Sequence, residues 1–389
     1  MKTGLLFRLF VILCFCPTGR TKGNSMLGHL QKLGSHRPPE GAVTELDYIP
    51  SAKEFHEMYS AAGVPLLMKG AAKQSKAYQL WTDEYLMSEY GNVSVEVEEG
   101  KKEDRNKGVD EIPLREYLLH YHDEDAYVVA SIPKTMQSEV LVLPCLTCGG
   151  AANRILDAVM WFSSGGTKSV LHFDGVENIN CVLDGWKEVF LVDKNDKDFV
   201  NIDHPDGSYC GVDVDSVDMK KYPGLGEVPW YSAKVEAGDC LFIPYKWFHQ
   251  IRSYGNRNLA VNIWWERIRE FNYTDCDLLL QSPTESHYLS EYDMTSSSKY
   301  QLTFVELIHG KPTTKKEFIS ILKKEALFPR QESIPTKLAN LFDSNQDGTI
   351  HPDEITNADT DQLQAVLNSV EDEESQDGEL SDENHHTEL

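Results

Sequence analysis

The spacing of one histidine and one aspartate constrains this chain more than any other local feature of its sequence. His172 and Asp174 are two residues apart in the segment 169–174. A β-strand directs side chains two apart to the same face, whereas Leu171 and Phe173 point to the other face and are apolar. The segment is therefore predicted to be a strand with a polar inward face.

A second histidine, His249, lies 75 residues beyond Asp174 and follows a separate apolar strand at 240–244. Only a closed barrel would bring a residue so distant in sequence to the same place. Two imidazoles and one carboxylate on one side of a metal leave the opposite positions open, which suits non-haem Fe(II) and O₂. A lone His-x-Asp is more often turn or surface chemistry, so it is His249 that makes the metal site the favoured interpretation.

Short strands dominate residues 160–268 and fix the expected fold class. Residues 182–183 and 186–192 are predicted to form a hairpin around a turn at Asp184-Gly185. The Asp-, Gly- and Pro-rich segment 193–229 is predicted to be a long surface insertion. Seven or eight short strands with turns between them predict a closed or two-sheet β structure, a jelly roll.

The flanking regions read as mixed or helical. Within 44–170, three helices are predicted. The first covers 51–62 with Ser51 as N-cap, the second begins after Thr82 as its cap, and the third covers 114–121. Strands are predicted at 64–68, 93–97 and 127–130. After residue 268 the pattern turns helical, at 277–281, 304–309, 315–327 and 335–342.

This combination resembles the JmjC family of Fe(II)- and 2-oxoglutarate-dependent oxygenases, and within it the hydroxylase branch typified by the factor inhibiting HIF. The resemblance covers about residues 42–268 and implies a double-stranded β-helix core with flanking helices. His172, Asp174 and His249 match the family's metal triad. The pocket positions that match are Lys187 and Tyr127, for the distal carboxylate of 2-oxoglutarate, and Asn178, Asn262 and Trp264, while Ser169 stands where threonine is commoner.

Each pocket residue has a simpler interpretation when taken singly. Lys187 alone would be a surface lysine on a hairpin, Asn178 and Asn262 ordinary backbone partners, and Tyr127 a core residue. The joint match favours a cofactor pocket, since a cation in a mostly apolar pocket is costly unless a carboxylate neutralises it. The resemblance implies Fe(II), 2-oxoglutarate and O₂, and hydroxylation of a protein side chain.

Two other functions compete with the oxygenase. One is a non-catalytic, calcium-responsive JmjC scaffold of the endoplasmic reticulum (ER) lumen, which loss of a metal ligand would favour; no ligand is lost here. The other is a cupin-like metalloenzyme that does not use 2-oxoglutarate. Lys187 and Tyr127 argue against this metalloenzyme, because they match the positions that bind 2-oxoglutarate in the JmjC family.

A separate motif at 343–354 matches the 12-residue calcium loop of EF-hands at every required position. The predicted calcium ligands are the side chains of Asp343, Asn345, Asp347 and Glu354 and the carbonyl of Thr349. Gly348 permits the turn at position 6, and His351 at position 9 is unusual and is expected to act through water. No second complete loop is present, so the site is structural, weak, or paired with a partner chain.

Both ends of the chain predict a secretory-pathway address. Residues 1–22 are read as a signal peptide too short to span a bilayer, with an uncleaved anchor as the minority alternative, and 23–43 as a linker. The acidic stretch 371–389 is read as a disordered tail whose last four residues, His386-Thr387-Glu388-Leu389, resemble an ER-retention signal recognised by a receptor. The sequons at Asn92 and Asn272 fit glycosylation in that compartment.

The net charge of the chain limits the kinds of partner that it is expected to bind. The formal net charge of -25 argues against nucleic acid or an anionic membrane surface as the main partner. The predicted partner is a secretory-pathway protein substrate, and the family resemblance also implies a homodimer formed through C-terminal helices. The predicted domains are 44–268 for the oxygenase, 269–330 for a helical region and 331–370 for the EF-hand region.

Six cysteines outside the predicted signal allow up to three disulfides, with the connectivity open. They are Cys145, Cys148, Cys181, Cys210, Cys240 and Cys276. Two residues separate Cys145 from Cys148, a CxxC spacing that fits either a redox pair or a tight-loop disulfide, and the structural alternative is favoured. Cys181 and Cys240 are predicted to be buried thiols in strands.

Overall fold

A computed structural model describes most of the chain between residues 27 and 367. The described residues are 27–103, 108–151, 154–203, 209–268, 271–274, 276, 286–292, 294, 296–308, 311–324, 328, 333–359, 362–363 and 365–367. The predicted signal peptide, the acidic tail with its retention-like end, and the helix predicted over 277–281 lie outside these residues. No helix in the described part is long and apolar enough to cross a membrane.

Short helices and strands make up the N-terminal part, and they include the elements predicted there, with somewhat different bounds, together with others that were not predicted. In order these are β1 Gly41–Ala42, β2 Thr44–Leu46, α1 Ala52–Phe55, β3 Leu66–Met68, α2 Lys76–Leu80, α3 Asp83–Tyr90, β4 Ser94–Glu99, β5 Val109–Pro113, α4 Leu114–His120 and β6 Ala126–Ser131. The predicted caps at Ser51 and Thr82 are confirmed, because each hydroxyl accepts a backbone N–H three residues on. A π-helix, His56–Ser60, continues α1.

The remaining strands build the central sheet. They are β7 Ile155–Ser163, β8 Leu171–Phe173, β9 Glu177–Val192, β10 Tyr209–Cys210, β11 Tyr231–Glu236, β12 Cys240–Ile243 and β13 Phe248–Trp265. Short 3₁₀ turns lie at Ala71–Gln74, Gln137–Glu139, Pro144–Leu146, Lys194–Phe199, Pro223–Gly226 and Leu289–Glu291. Within the described residues, 13 strands join in one mixed sheet, mostly antiparallel.

Two long strands, β9 and β13, organise this sheet and lie side by side. The first half of β9 pairs with β12 and its second half with β11, while β13 pairs first with β8 and then with β7. Each long strand therefore has two successive partner strands along its outer edge. This arrangement wraps the sheet around an apolar interior. The predicted fold class is confirmed as a jelly-roll core with flanking helices.

The predicted hairpin at Asp184-Gly185 is wrong. Residues 177–192 run as one strand, and β9 pairs across its whole length with β13. Gly185 has φ +71°, and a Cβ there would come within 2.5 Å of the carbonyl oxygens of Arg257 and Tyr254. The glycine thus marks an irregularity in a continuous strand, where the neighbouring backbone approaches closely, rather than a chain reversal.

The segment 193–229 is more than the surface insertion that its composition predicts. Its apolar side chains form a separate core against β8 and the neighbouring ends of β9 and β13. The residues of the segment in this core include Val200, Cys210, Val212, Val214, Val217, Leu225 and Val228. Tyr209 pairs with His172 in the register of β10 and β8. The insertion therefore buttresses the strand that carries the first histidine.

The cysteine predictions need two corrections. Cys181 and Cys240 are not free thiols: they face each other on β9 and β12 and form a disulfide. Cys148 pairs with Cys276 rather than with Cys145, which is a buried free thiol, as is Cys210. Sequence spacing could not reveal either pairing, since strand register and chain crossing bring the partners together.

The C-terminal part contains two helix–strand–helix units around one apolar cluster. Its elements are α5 Ser296–Leu307, β14 Thr313–Thr314, α6 Lys315–Lys324, α7 Ile334–Phe342, β15 Thr349–Ile350 and α8 Pro352–Thr356. The strands β14 and β15 pair antiparallel as a separate two-stranded sheet. Phe304, Phe318 and Phe342 meet at the centre of the cluster.

Candidate metal centre

The three predicted metal ligands converge in the folded chain. His249 lies directly opposite His172 in the β13–β8 pairing, and Asp174 follows β8 immediately. Asp174 Oδ2 lies 3.6 Å from His249 Nε2, and Asp174 Oδ1 lies 3.9 Å from His172 Nε2. Among the described residues these three form a cluster whose ligand atoms all lie within 4.8 Å of one another.

Backbone carbonyls fix the tautomer of both histidines. His172 Nδ1 lies 3.0 Å from the carbonyl oxygen of Val170, and His249 Nδ1 lies 3.0 Å from that of Trp247. Because a carbonyl only accepts hydrogen bonds, each Nδ1 carries the proton and donates it. Each Nε2 therefore presents a lone pair to the space beside Asp174, as a metal ligand must.

His249 is held neutral by its surroundings. Burial, followed by the neighbouring His172 ring, lowers the pKa of His249 to about 4. The ring centroids of the two histidines are 4.2 Å apart, so protonating both would place like charges side by side. A neutral His249 keeps its Nε2 lone pair available to a cation.

A row of amides orients the carboxylate. Asn178 Nδ2 donates to Asp174 Oδ2 at 3.1 Å, and Asn262 Nδ2 donates to Asn178 Oδ1 at 2.9 Å. Asn180 in turn donates to Asn262 Oδ1. Asn178 and Asn262, predicted to line a cofactor pocket, therefore also hold the carboxylate ligand, as partners of metal ligands commonly do.

Lys187 lies in the same cavity, on β9, and is almost fully buried. Its ammonium donates to Ser253 Oγ at 2.9 Å and has no ion pair with any described carboxylate. Burial lowers the pKa of Lys187 to about 7. Burying a charged amine without a counter-ion is costly, and an anion that entered the cavity would offset that cost.

The other predicted pocket residues line the same cavity of about 620 Å³, which includes its open mouth; they are Tyr127, Ser169, Asn178, Asn262 and Trp264. Burial raises the pKa of the Tyr127 hydroxyl, which stays a hydrogen-bond donor. Ser169 Oγ accepts from the backbone of Ile251 at 2.8 Å and donates to Val170 at 3.0 Å, so it positions the strand before His172. Within the described residues, the buried indole N–H of Trp264 has no partner.

Sequence reasoning missed seven of the residues that line this cavity, and three of them bear directly on its polar groups. Trp161 on β7 presents a second buried indole N–H without a described partner. Asn180 shares a face of β9 with Asn178, a signal that the two-residue period could have supplied. Ser253 lies opposite Lys187 in the β9–β13 register, and no local sequence pattern predicts that contact.

The predicted calcium residues share one loop between α7 and α8. Asp343 Oδ1 accepts from Gly348 N at 3.3 Å, and Asp347 Oδ1 accepts from Thr349 N at 2.7 Å. Glu354 reaches back across the loop, where its Oε1 accepts from Ser344 Oγ at 3.0 Å. Asn345 Oδ1 accepts from the backbone of Asp347, so the four predicted ligand side chains turn into the loop interior.

A jelly roll that brings two histidines and an aspartate together in one cavity has the ligand set of a metal-binding cupin. Comparison with known proteins agrees. A family model described as Cupin-like domain matches residues 52–271, more than half of the chain. The protein belongs to this family.

Several curated proteins of the JmjC group are similar to this chain. Jumonji C domain-containing protein 5 of Drosophila melanogaster is 26% identical over 247 residues, which cover 58% of this chain and 60% of that protein. Lysine-specific demethylase 8 of Xenopus tropicalis is 27% identical over 240 residues, covering 58% and 53%. The human Bifunctional peptidase and (3S)-lysyl hydroxylase JMJD7 is 22% identical over 282 residues, covering 61% and 88%. The chain thus spans little more than half the length of the first two.

Proposed function

We propose that this protein is an Fe(II)- and 2-oxoglutarate-dependent dioxygenase that hydroxylates a side chain of a protein substrate. One observation carries the proposal: His172 and His249 direct their Nε2 atoms toward the space beside Asp174. This space belongs to the cavity that also holds the buried amine of Lys187. A metal triad fits iron, and an amine deeper in the same cavity fits a dicarboxylate. The JmjC relatives, which include a protein named as a lysyl hydroxylase, support the same class.

The residues present fit both groups. His172, Asp174 and His249 would hold Fe(II), and the donors Lys187, Tyr127 and the two indoles would meet the oxygens of 2-oxoglutarate. When bound, the iron and 2-oxoglutarate let O₂ place one oxygen in a substrate C–H bond and the other in succinate, with loss of CO₂. The protein binds and orients these partners.

Succinate release tests this proposal. The full chain, purified anaerobically and loaded with Fe(II), is expected to convert 2-oxoglutarate to succinate when O₂ is admitted. Turnover without added Fe(II), or equal turnover after removal of the metal by a chelator, would contradict the proposal. The choice between hydroxylase and non-catalytic scaffold is decided by the same measurement.

We propose that the substrate is met in the secretory pathway. Three features support this: the N-terminal segment 1–22, the retention-like last four residues, and two disulfides, which are typical of oxidising compartments. Both sequon asparagines, Asn92 and Asn272, are exposed and can accept a glycan.

Deleting residues 386–389 is expected to move the protein from the cell interior to the medium, because the proposed retention receptor would lose its ligand. Immunoblots of cells and medium measure this, with and without treatment by an N-glycosidase. Replacing 386–389 by four other residues of equal charge serves as the control for tail length. The proposed secretory-pathway location would be refuted if the full-length protein carried no glycan and the deletion variant stayed inside the cell.

We propose further that loop 343–354 binds Ca²⁺. Oxygen-bearing side chains stand at positions 1, 3, 5 and 12 of the motif, and Gly348, with φ +83°, permits the sharp turn at the sixth position. Changing Glu354 to Gln removes one negative charge and half of the bidentate ligand, so Ca²⁺ affinity is expected to fall about tenfold or more. Calorimetric titration of the full chain measures it, with Glu84→Gln, at an exposed glutamate on α3, as the matched control. An equal affinity of both variants would refute the loop assignment.

A further inference from the structure

We propose that Lys315, contributed by a second helix–strand–helix hand, competes with Ca²⁺ for Asp343 and thereby sets the calcium affinity of loop 343–354. This inference rests on the proposed calcium binding. It answers what the loop pairs with, because the partner is part of the same chain rather than another molecule.

The two units are joined as paired hands. Thr313 stands opposite Ile350, and Thr314 stands opposite Thr349, in the short antiparallel β14–β15 pair. Lys315 N also donates to the carbonyl oxygen of Gly348 at 3.1 Å. The helices on both sides share one apolar cluster, and Gln301 on α5 donates to the carbonyl oxygen of Ile355 on α8 at 2.9 Å. Residues 296–324 therefore stand where a second calcium-binding hand would stand.

This partner hand lacks two of the side-chain ligands that a calcium loop needs. If Thr313 occupies the eighth position of its loop, as Ile350 does in the other, the third and fifth positions fall on Ile308 and Gly310. Neither side chain has an oxygen atom, and Ca²⁺ is held by oxygen ligands. What this hand offers the pair is a cation instead, Lys315 at the tenth position.

The ammonium of Lys315 lies at the first ligand of the other loop. Its Nζ is 3.0 Å from Asp343 Oδ2, and the Asp343 side chain is 2% exposed. A Ca²⁺ ion bound by that oxygen at about 2.3–2.6 Å would lie within about 5.5 Å of the ammonium. Two like charges so close repel even through water, so Ca²⁺ must displace Lys315 or bind beside it at reduced affinity.

The contact also joins the loop to the partner hand. Lys315 is the first residue of α6, whose Phe318 packs against Phe342 of α7 in the shared cluster. Release of its ammonium would remove a bond between the calcium loop and α6 while leaving the β14–β15 pair in place. Lys315 is thus a residue that determines affinity without being a ligand.

The test compares Lys315→Met with Lys316→Met in the full chain. Lys316 is the exposed neighbour on α6, so its variant removes the same charge without removing the contact to Asp343. Lys315→Met is expected to tighten Ca²⁺ binding by about 3- to 30-fold, and Lys316→Met by less than about twofold. Isothermal titration with Ca²⁺ measures both against the wild type.

Thermal unfolding supplies a second readout. Without its counter-ion the buried Asp343 is unpaired, so Lys315→Met is expected to lower the melting temperature in chelator and to regain it in Ca²⁺. Lys315→Gln, which keeps a hydrogen-bond donor, replaces the methionine variant if that variant does not fold. Lys315 variants that match Lys316→Met in affinity, or bind more weakly, would overturn the inference even though the wild type binds Ca²⁺. Absence of binding in the wild type and in every Lys315 variant would instead refute calcium binding itself, and the inference with it.

Discussion

Replacing Asp174 by alanine is expected to reduce succinate production from 2-oxoglutarate by more than about 100-fold. Asp174 is the anionic member of the triad, and its oxygens lie 3.6 and 3.9 Å from the two histidine Nε2 atoms. Without it, two neutral imidazoles would face Fe(II) with no carboxylate to balance its charge. Since changes in the partners of metal ligands alone typically cost 10–100-fold, loss of a ligand should cost more.

The control for this variant is Asp184→Ala. Asp184 lies on β9 outside the cavity and pairs with Arg257, so its loss changes the charge equally but leaves the triad intact. Anaerobic titration with Fe(II) separates loss of metal from loss of chemistry. A preparation of Asp174→Ala that binds Fe(II) and turns over 2-oxoglutarate as fast as Asp184→Ala would exclude the proposed iron centre.

Replacing Lys187 by methionine is expected to have two opposite effects. Binding of 2-oxoglutarate should weaken by about 100-fold or more, because the distal carboxylate would lose its buried counter-ion. The unliganded protein should become more stable, with a melting temperature higher by about 5 °C, because a buried amine without a carboxylate partner costs stability. A lysine that served only to stabilise the fold would give the reverse of the second effect.

The stability gain should depend on pH in a known direction. Burial lowers the pKa of Lys187 to about 7 in the folded chain, against roughly 10.4 for an unfolded lysine. Between these values the unfolded chain binds more protons, so wild-type stability rises with pH in this window. The advantage of Lys187→Met is therefore complete below pH 7 and shrinks as the pH approaches about 10.

Lys234→Met is the control for both measurements. Lys234 lies exposed on β11, opposite Glu188, so its loss removes the same charge without opening the cavity. Denaturant unfolding near pH 6 and near pH 9, with 2-oxoglutarate absent, measures the stability difference. If Lys187→Met binds 2-oxoglutarate as the wild type does, the amine does not receive the carboxylate.

Much of the candidate site could be predicted because its signals are local. Two-residue spacing places His172 and Asp174 on one face, and the caps at Ser51 and Thr82 depend on contacts three residues away. The proposed calcium loop is likewise a motif of twelve consecutive residues. Such features need only the geometry of one strand, one turn or one loop.

Other features depend on register between distant strands and could not be read locally. Val182 to Lys187 resembles a hairpin in sequence, yet Gly185 lies within a strand because β13 supplies partners on both sides. The same pairing sets Ser253 against Lys187. The disulfide between Cys181 and Cys240 exists because β9 and β12 align these two residues.

The sequence by itself determined the chemical types: two imidazoles and a carboxylate at strand spacing, one lysine beyond them, and a complete set of loop oxygens. The tertiary structure alone decided which histidine nitrogen faces the metal, that three asparagines hold Asp174, and that Lys315 lies on Asp343. The reason is physical. Side-chain identity and local spacing belong to the chain, whereas proton position, desolvation and charge pairing are set by groups that only folding brings into contact.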